Sequence, residues 1–356
     1  KTFTDLSSAV VYNPIDEAIY TGQISAGGFI ELKELTLGTF TKMVGVEDDI
    51  QAAINFVKSK GGGTVFLKPG THKIINNDIE LFSNISLIGE SASTTVIDFD
   101  GSNKRVLIQG TSSTRIVNVS IENLTIKNAA TSNGLIDADW TSRIFIRRCI
   151  LENSFTGTSG ALINFNQTGQ EPFVVDGCSI DNTSATTTGR YGITAGAADT
   201  SRAIITNTLI KNCNRGINSG SVNVVNCDIV DCLRGVDSST SSVITNNRIT
   251  TLNNSSSIAV NVGANRNVIS NNYLSGTGNT GRGIVVSGAE YGKIIGNIFF
   301  TFGTEYISVN GSRQFSITAN SLVGSTGGGT ALIYVEAGVG ASAPSSKVMI
   351  FGNILD

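Results

Sequence analysis

The sequence predicts an all-β fold, a right-handed parallel β-helix (a solenoid) with a short N-terminal capping helix, and three observations lead there. The 356 residues include 40 glycines and only 15 % charged residues, a composition suited to short strands joined by tight polar turns. There are four prolines, none between 173 and 343. That gap matters because proline removes a ladder hydrogen bond from any central strand. The third observation is a repeat that occupies most of the chain.

Its pattern is an apolar residue, any residue, Asn or another small residue, two more residues, then an apolar residue. The first and last apolar members include Ile121 and Ile126, Val175 and Ile180, Ile205 and Ile210, Ile244 and Ile249, and Ile269 and Leu274. Ile295 and Phe300, Ile317 and Leu322, and Ile350 and Leu355 continue it. The period is loose and the apolar members are mostly Ile and Val, which favour pleated strands. A leucine-rich repeat would keep Leu at fixed spacing, whereas a parallel β-helix absorbs insertions in its turns. The residue after the small position also recurs in kind: Cys149, Cys178, Thr208, Cys227, Asn247, Asn272, Asn320 and Asn353, with Leu124 and Ile298 as exceptions. Stacked inward Asn side chains would satisfy turn amides above and below. Cys213 and Cys232 share a second column, so buried unpaired thiols account for all five cysteines.

Ahead of the repeat, Ile50, Ala53, Ile54 and Val57 have helical spacing and follow acidic Glu47, Asp48 and Asp49, where a helix N-terminus favours negative charge. Gly61, Gly62 and Gly63 stop that helix. An amphipathic helix in this place caps the open end of a stack. The run from Asp48-Asp49-Ile50-Gln51-Ala52-Ala53-Ile54 through Gly61-Gly62-Gly63-Thr64-Val65-Phe66-Leu67 to Pro69-Gly70-Thr71 resembles the opening motif of the pectate-lyase-like superfamily, which includes many phage tailspikes. The resemblance implies a β-helix domain over 46–356, with 1–45 as an adaptor or assembly segment. It does not fix an activity, because similar proteins include lyases, hydrolases, epimerases and non-catalytic binders. It also implies an extracellular or virion-surface setting and a homotrimer, in which a groove between subunits could join acids from separate columns.

A second alignable segment has apolar anchors at Ile136, Ile163, Ile193, Ile217, Val236, Ile258, Ile284, Ile307 and Ile333. Positions one and three after an inward anchor point outward. Those positions hold Asp137 and Asp139, Asn164 and Asn166, Asn218, and Asp237, with Trp140 and Tyr191 close by. Amides, carboxylates and aromatic rings match sugar hydroxyls and the apolar faces of pyranoses, so the expected partner is a polysaccharide. An ordinary solvated sheet face has the same composition. Arg190, Arg215 and Arg234 precede the segment in consecutive coils and could grip an acidic glycan. Alternatively they cap turn carbonyls or pair with Asp199, Asp228 or Asp231.

Glycoside hydrolysis needs two carboxyl groups, and Asp137 and Asp139 stand two apart on one strand face, with Asp237 as the next candidate. A lyase needs a base beside a uronate and a cation to neutralise its carboxylate. His72 is the single histidine and lies in a structural turn position. The rival to a binding or degrading enzyme is a structural or adhesive module, such as a tail fibre.

A net charge of −3 excludes a general attraction to nucleic acid. No apolar run approaches the roughly 18 residues of a membrane helix. No cofactor or metal site is expected, since the cysteines form no CxxC pair. The chain opens on Lys1 rather than Met, so an export leader or larger N-terminal region is expected to precede it.

Overall fold

The computed structural model describes residues 9–13, 18–24, 30–34, 40–129, 134–153, 160–166, 173–183, 190–196, 202–263, 266–277, 281–323, 331–336 and 348–355. Asp199 lies outside them. Three long parallel sheets form the right-handed β-helix, and each complete coil adds one strand to each. Sheet 1 has 11 strands from Ile79–Glu80 to Ala331–Glu336, sheet 2 has 13 from Phe40–Val44 to Met349–Phe351, and sheet 3 has 12 from Gly70–Lys73 to Ile354–Leu355. A separate three-stranded antiparallel sheet joins Ala9–Asn13, Ala18–Ile24 and Ile30–Glu34. Phe40–Val44 pairs in parallel with Gly63–Leu67, so the parallel ladder begins before the sequence boundary at 46.

The capping helix spans Ile50–Ser59 and buries Ile50, Ala53, Ile54 and Val57 against the first coils. Asp49 caps it by accepting from the Ala52 amide at 3.1 Å. Gly63, at φ 145°, then brings the chain so close to Phe40 that a Cβ there would lie 2.3 Å from its carbonyl oxygen. Only glycine fits that approach.

Along the solenoid the inward β-branched residues stack in columns. Ile121, Ile146, Val175, Ile205, Val224, Ile244 and Ile269 are all fully buried and lie in register from coil to coil. Sheet 2 passes to sheet 3 through the small position of the repeat, which holds left-handed backbone: φ is 57° at Asn123, 50° at Asn207, 54° at Asn226, 57° at Asn246 and 55° at Asn271. Asn tolerates this region better than most residues. Arg148, the bulky exception, takes φ 50° and bonds Asn123 and Glu122 of the preceding coil.

Two registers differ from the sequence reading. Ile269 pairs with Ile294, not Ile295, and Leu274 with Phe299. The small position there is Gly296 at φ 66°, and Asn297 joins the buried ladder. The run of apolar residues Ile294-Ile295 hid the frame. Likewise Val236 pairs with Val260, and Ile258 with Arg234, so the sheet 1 anchor of that coil is Val260 and Asn261 follows it.

The ladder residue after the small position performs the satisfaction expected of it. Asn247 Nδ2 donates to the Val224 carbonyl at 3.0 Å and to Asn272 Oδ1 at 2.9 Å, while its amide donates to the same oxygen at 2.9 Å. Asn272, Asn297 and Asn320 repeat this arrangement toward Asn353. Upstream the ladder continues through Thr208, Cys178 and Cys149. All five cysteines are buried and unpaired, and burial pushes the Cys227 thiol up to about 11.

Asn272→Leu would strip partners from two donors of Asn247 and from the Ile244 carbonyl, at a cost of about 1–3 kcal/mol for a buried group left unsatisfied. Exposed Ser239→Ala should change stability by less than about 0.5 kcal/mol. Chemical denaturation of both variants checks the difference, and equal midpoints would contradict the ladder account.

Candidate functional site

The outward face of sheet 1 is built by register. Because each coil stacks on the last, the residue following each anchor forms one column: Asp137, Asn164, Thr194, Asn218, Asp237 and Asn261. Two residues before the anchor a second column runs Ala161, Tyr191, Arg215, Arg234, Ile258 and Arg282. Glycine between the two columns is a requirement, since a Cβ on Gly216 would lie 2.7 Å from the Gly235 carbonyl oxygen. The Arg-Gly pairs in the sequence therefore record a close coil-to-coil approach.

At the upstream end Asp137 is only 9 % exposed. Its Oδ2 lies 3.1 Å from an Arg105 guanidinium nitrogen, and its Oδ1 accepts from Asn164 Nδ2 at 2.8 Å. Burial raises its carboxyl above the ordinary aspartate range, Arg105 and Asn164 pull it back, and Asp139 and Asp78 add to the rise. Asp139 follows on the same strand, half-buried, beside Asn166 in register. Its Oδ1 is enclosed and has no hydrogen-bond partner among the described residues. The two acids thus sit in different environments, one engaged and raised, the other holding an unoccupied acceptor. Trp140 closes the strand at φ 54°, with the Arg115 guanidinium 5.6 Å from its ring centroid.

Four coils downstream Asp237 is clamped. Arg215 and Arg234 each place a terminal nitrogen 2.9 Å from its Oδ2, and Asn261 donates to its Oδ1 at 2.8 Å. Arg215 also donates to Asn218 at 2.9 Å and lies 5.3 Å from the Tyr191 ring centroid. The carboxylate partner of these arginines is therefore Asp237, while Asp228 pairs with Arg248. Asp237, expected as a catalytic candidate, has both oxygens committed to side-chain donors and stands about 19 Å from Asp137 by four steps of strand spacing, too far to act as its catalytic mate.

Arg190 is a second correction. It precedes Tyr191, which is the residue in register with Arg215, and it is only 1 % exposed, so it is part of the interior rather than of a glycan-facing edge. Burial holds its guanidinium below the ordinary arginine value. His72 is likewise interior, with Nε2 3.0 Å from the Lys68 carbonyl oxygen. The sequence reading missed Arg105 because its coil precedes the first recognised repeat. The alternating Val106 and Ile108, which lie in register with Ile136 and Ala138, could have revealed it. Among the described residues no three His, Cys, Asp or Glu side chains gather as a metal site, and no helix is long and apolar enough to cross a membrane.

Residues 44–237, more than half of the chain, match the family model described as rhamnogalacturonase A/epimerase, pectate lyase-like. The chain belongs to this pectate-lyase-like family. Solved structures agree at the level of fold. A surface adhesin of Streptococcus pneumoniae is similar at TM-score 0.60 and 14 % identity, over 90 % of this chain and 89 % of that one. A mannuronan C-5 epimerase A-module of Azotobacter vinelandii is similar at TM-score 0.54 and 16 % identity, over 86 % and 92 %. A tailspike protein of E. coli bacteriophage HK620, in complex with a pentasaccharide, is similar at TM-score 0.55 and 14 % identity, over 84 % and 69 %. No curated protein matches this pectate-lyase-like chain by sequence.

The raised Asp137 carboxyl has a consequence for stability. A folded pKa above the unfolded value stabilises the fold below the ordinary aspartate value of 3.8, and that contribution is lost as pH rises through the raised value. Melting temperatures of wild type and Asp137→Asn across this range should show wild type losing ground to the variant as pH rises, then a constant difference. A constant difference throughout would contradict the raised pKa.

Proposed function

We propose that this chain is a surface protein, outside a cell or on a virion, that binds polysaccharide along sheet 1 and hydrolyses it at Asp137 and Asp139. The observation carrying the catalytic half is the contrast between the two acids. Asp137, whose carboxyl burial raises above the ordinary aspartate range, is the better suited of the two to act as general acid. Asp139, with an enclosed and unpartnered oxygen, suits the base or nucleophile. Two positions along one strand separate their Cα atoms by roughly 7 Å, within reach of the carboxyl spacings that glycoside hydrolysis uses. Asn164, Asn166 and Asn218 supply hydroxyl partners, and Trp140 and Tyr191 supply apolar ring faces. Similar folds include a mannuronan epimerase, a surface adhesin and a tailspike that holds a pentasaccharide, which supports a glycan as the class of ligand.

A second reading, adhesion without cleavage, is favoured by one specific feature. Asp137 accepts from an arginine and an asparagine much as Asp237 does, so the motif serves also as a rigid cross-coil brace.

The experiment is reducing-end release from a panel of acidic and neutral polysaccharides, alongside direct binding. Asp137→Asn and Asp139→Asn should each reduce cleavage by about 100-fold or more while keeping binding, since shape survives and proton transfer does not. Cleavage by wild type should fall as pH rises through the raised Asp137 pKa, because the acid is then lost. Trp140→Ala should weaken binding by roughly 1–3 kcal/mol. Binding with no cleavage of any glycan selects the adhesive reading, and unchanged cleavage in both aspartate variants moves the chemistry off this strand.

A further inference from the structure

We propose that Tyr191, Arg215 and Arg234 form an anchoring subsite for an anionic sugar, with Asp237 as a built-in counter-ion that limits its affinity. The inference rests on the polysaccharide reading above and adds to it the charge of the ligand and a site remote from the catalytic pair.

Charge stoichiometry points there first. Elsewhere on the solenoid Arg248 pairs singly with Asp228 and Arg282 with Glu305, and Glu122 meets Arg147 and Arg148 through a different oxygen for each. Here two guanidinium groups share a single oxygen of one carboxylate, Asp237 Oδ2, which leaves one net positive charge on this three-residue cluster. Each arginine spends only one terminal nitrogen on that contact, and Arg215 uses the same nitrogen for Asn218. The Nε and second terminal nitrogen of both have no partner among the described residues, and the side chains are 29 % and 32 % exposed. A guanidinium edge of this kind accepts a carboxylate or sulfate through paired N–H donors, a geometry a neutral hydroxyl does not match.

Shape points the same way. The Arg215 guanidinium covers one side of the Tyr191 ring, and the preceding coil puts only Ala161 at that register. An apolar sugar face can use the ring while its anionic substituent meets the arginines one and two coils on. The glycines beneath the arginines fix the column, and Asn218 and Asp237 hold the guanidinium groups in place, so little ordering is left for ligand binding. The subsite runs from two to four coil steps beyond Asp137, from about 10 Å at Tyr191 to about 19 Å at Arg234. A single glycan must therefore be several sugars long to touch both, and affinity should rise stepwise once a chain reaches from one to the other.

The test uses galacturonate and mannuronate oligomers, graded in size from the monosaccharide upward, and their carboxyl-reduced counterparts, with binding measured by calorimetry at low and high salt. The acidic oligomers should bind more tightly than the reduced ones, and salt should weaken them alone. Arg215→Lys and Arg234→Gln should lower affinity for the acidic series roughly tenfold, as expected for a lost charge-assisted hydrogen-bond pair. Asp237→Asn is decisive because its sign is opposite. Removing the counter-ion leaves two uncompensated guanidinium groups, so affinity for acidic oligomers should rise while affinity for reduced ones stays put. Melting curves establish that each variant is folded. If Asp237→Asn, folded, weakens acidic binding or leaves it unchanged, the anchor is wrong. Binding of reduced oligomers as tightly as acidic ones also overturns it, yet leaves the polysaccharide reading standing. Binding of no oligomer of either kind overturns both.

Discussion

The outward columns of the solenoid depend on one constraint, the fixed stacking of coil on coil at the tight turn between sheets 2 and 3. A parallel ladder holds neighbouring strands about 4.8 Å apart, but backbone hydrogen bonds alone do not choose a register, because a slip of one residue would turn every side chain to the other face. The turn makes that choice. A left-handed residue reverses the chain within one step, and the next residue, often Asn, ties its own coil to the carbonyl before it and the amide group after it. Asn247, Asn272, Asn297 and Asn320 are buried with their side-chain amides satisfied, so any slipped register would leave amide groups in the core without partners.

Once register is fixed, side chains from distant parts of the sequence become neighbours in a straight line. Asp137 and Asn164 are 27 residues apart in sequence and share a hydrogen bond, as Asp237 and Asn261 do across 24. The outcome is a polar column with an acid–arginine cluster at two of its levels. The upstream cluster desolvates a carboxyl beside a second acid, and the downstream one gathers two guanidinium groups around a single carboxylate. Burial and partners in adjacent coils together set the environments of these groups.

The fold was legible because the stacking constraint is written into residue type: β-branched anchors at Ile205, Val224 and Ile244, left-handed Asn or Gly at the turn, and ladder Asn at 247 and 272. Where residue type is ambiguous, the reading slipped. Ile294 and Ile295 are both apolar, as are Ile258 and Val260, and only pairing with the neighbouring coil decides which faces in. The candidate site was legible as a face but not as a set of contacts. Asp137 and Asp139 were evident from strand periodicity, whereas Arg105 belongs to an earlier coil without a recognised repeat. Arg190 and Tyr191 exchanged roles through a one-residue offset, and nothing local in the sequence says that Asp237, not Asp228 or Asp231, receives both arginines. Such contacts depend on side chains crossing between coils, which spacing within one strand does not encode.

The central claim is that the sheet 1 column from Asp137 to Asp237 is a glycan track. A crystal structure of the protein with a bound acidic oligosaccharide tests it most directly. The account predicts a sugar chain lying along the solenoid axis over Asn164, Thr194 and Asn218, with one end at the Asp137 and Asp139 pair and an anionic group against Arg215 and Arg234. An oligosaccharide bound instead on sheet 2 or sheet 3, with the sheet 1 column bare, would contradict it.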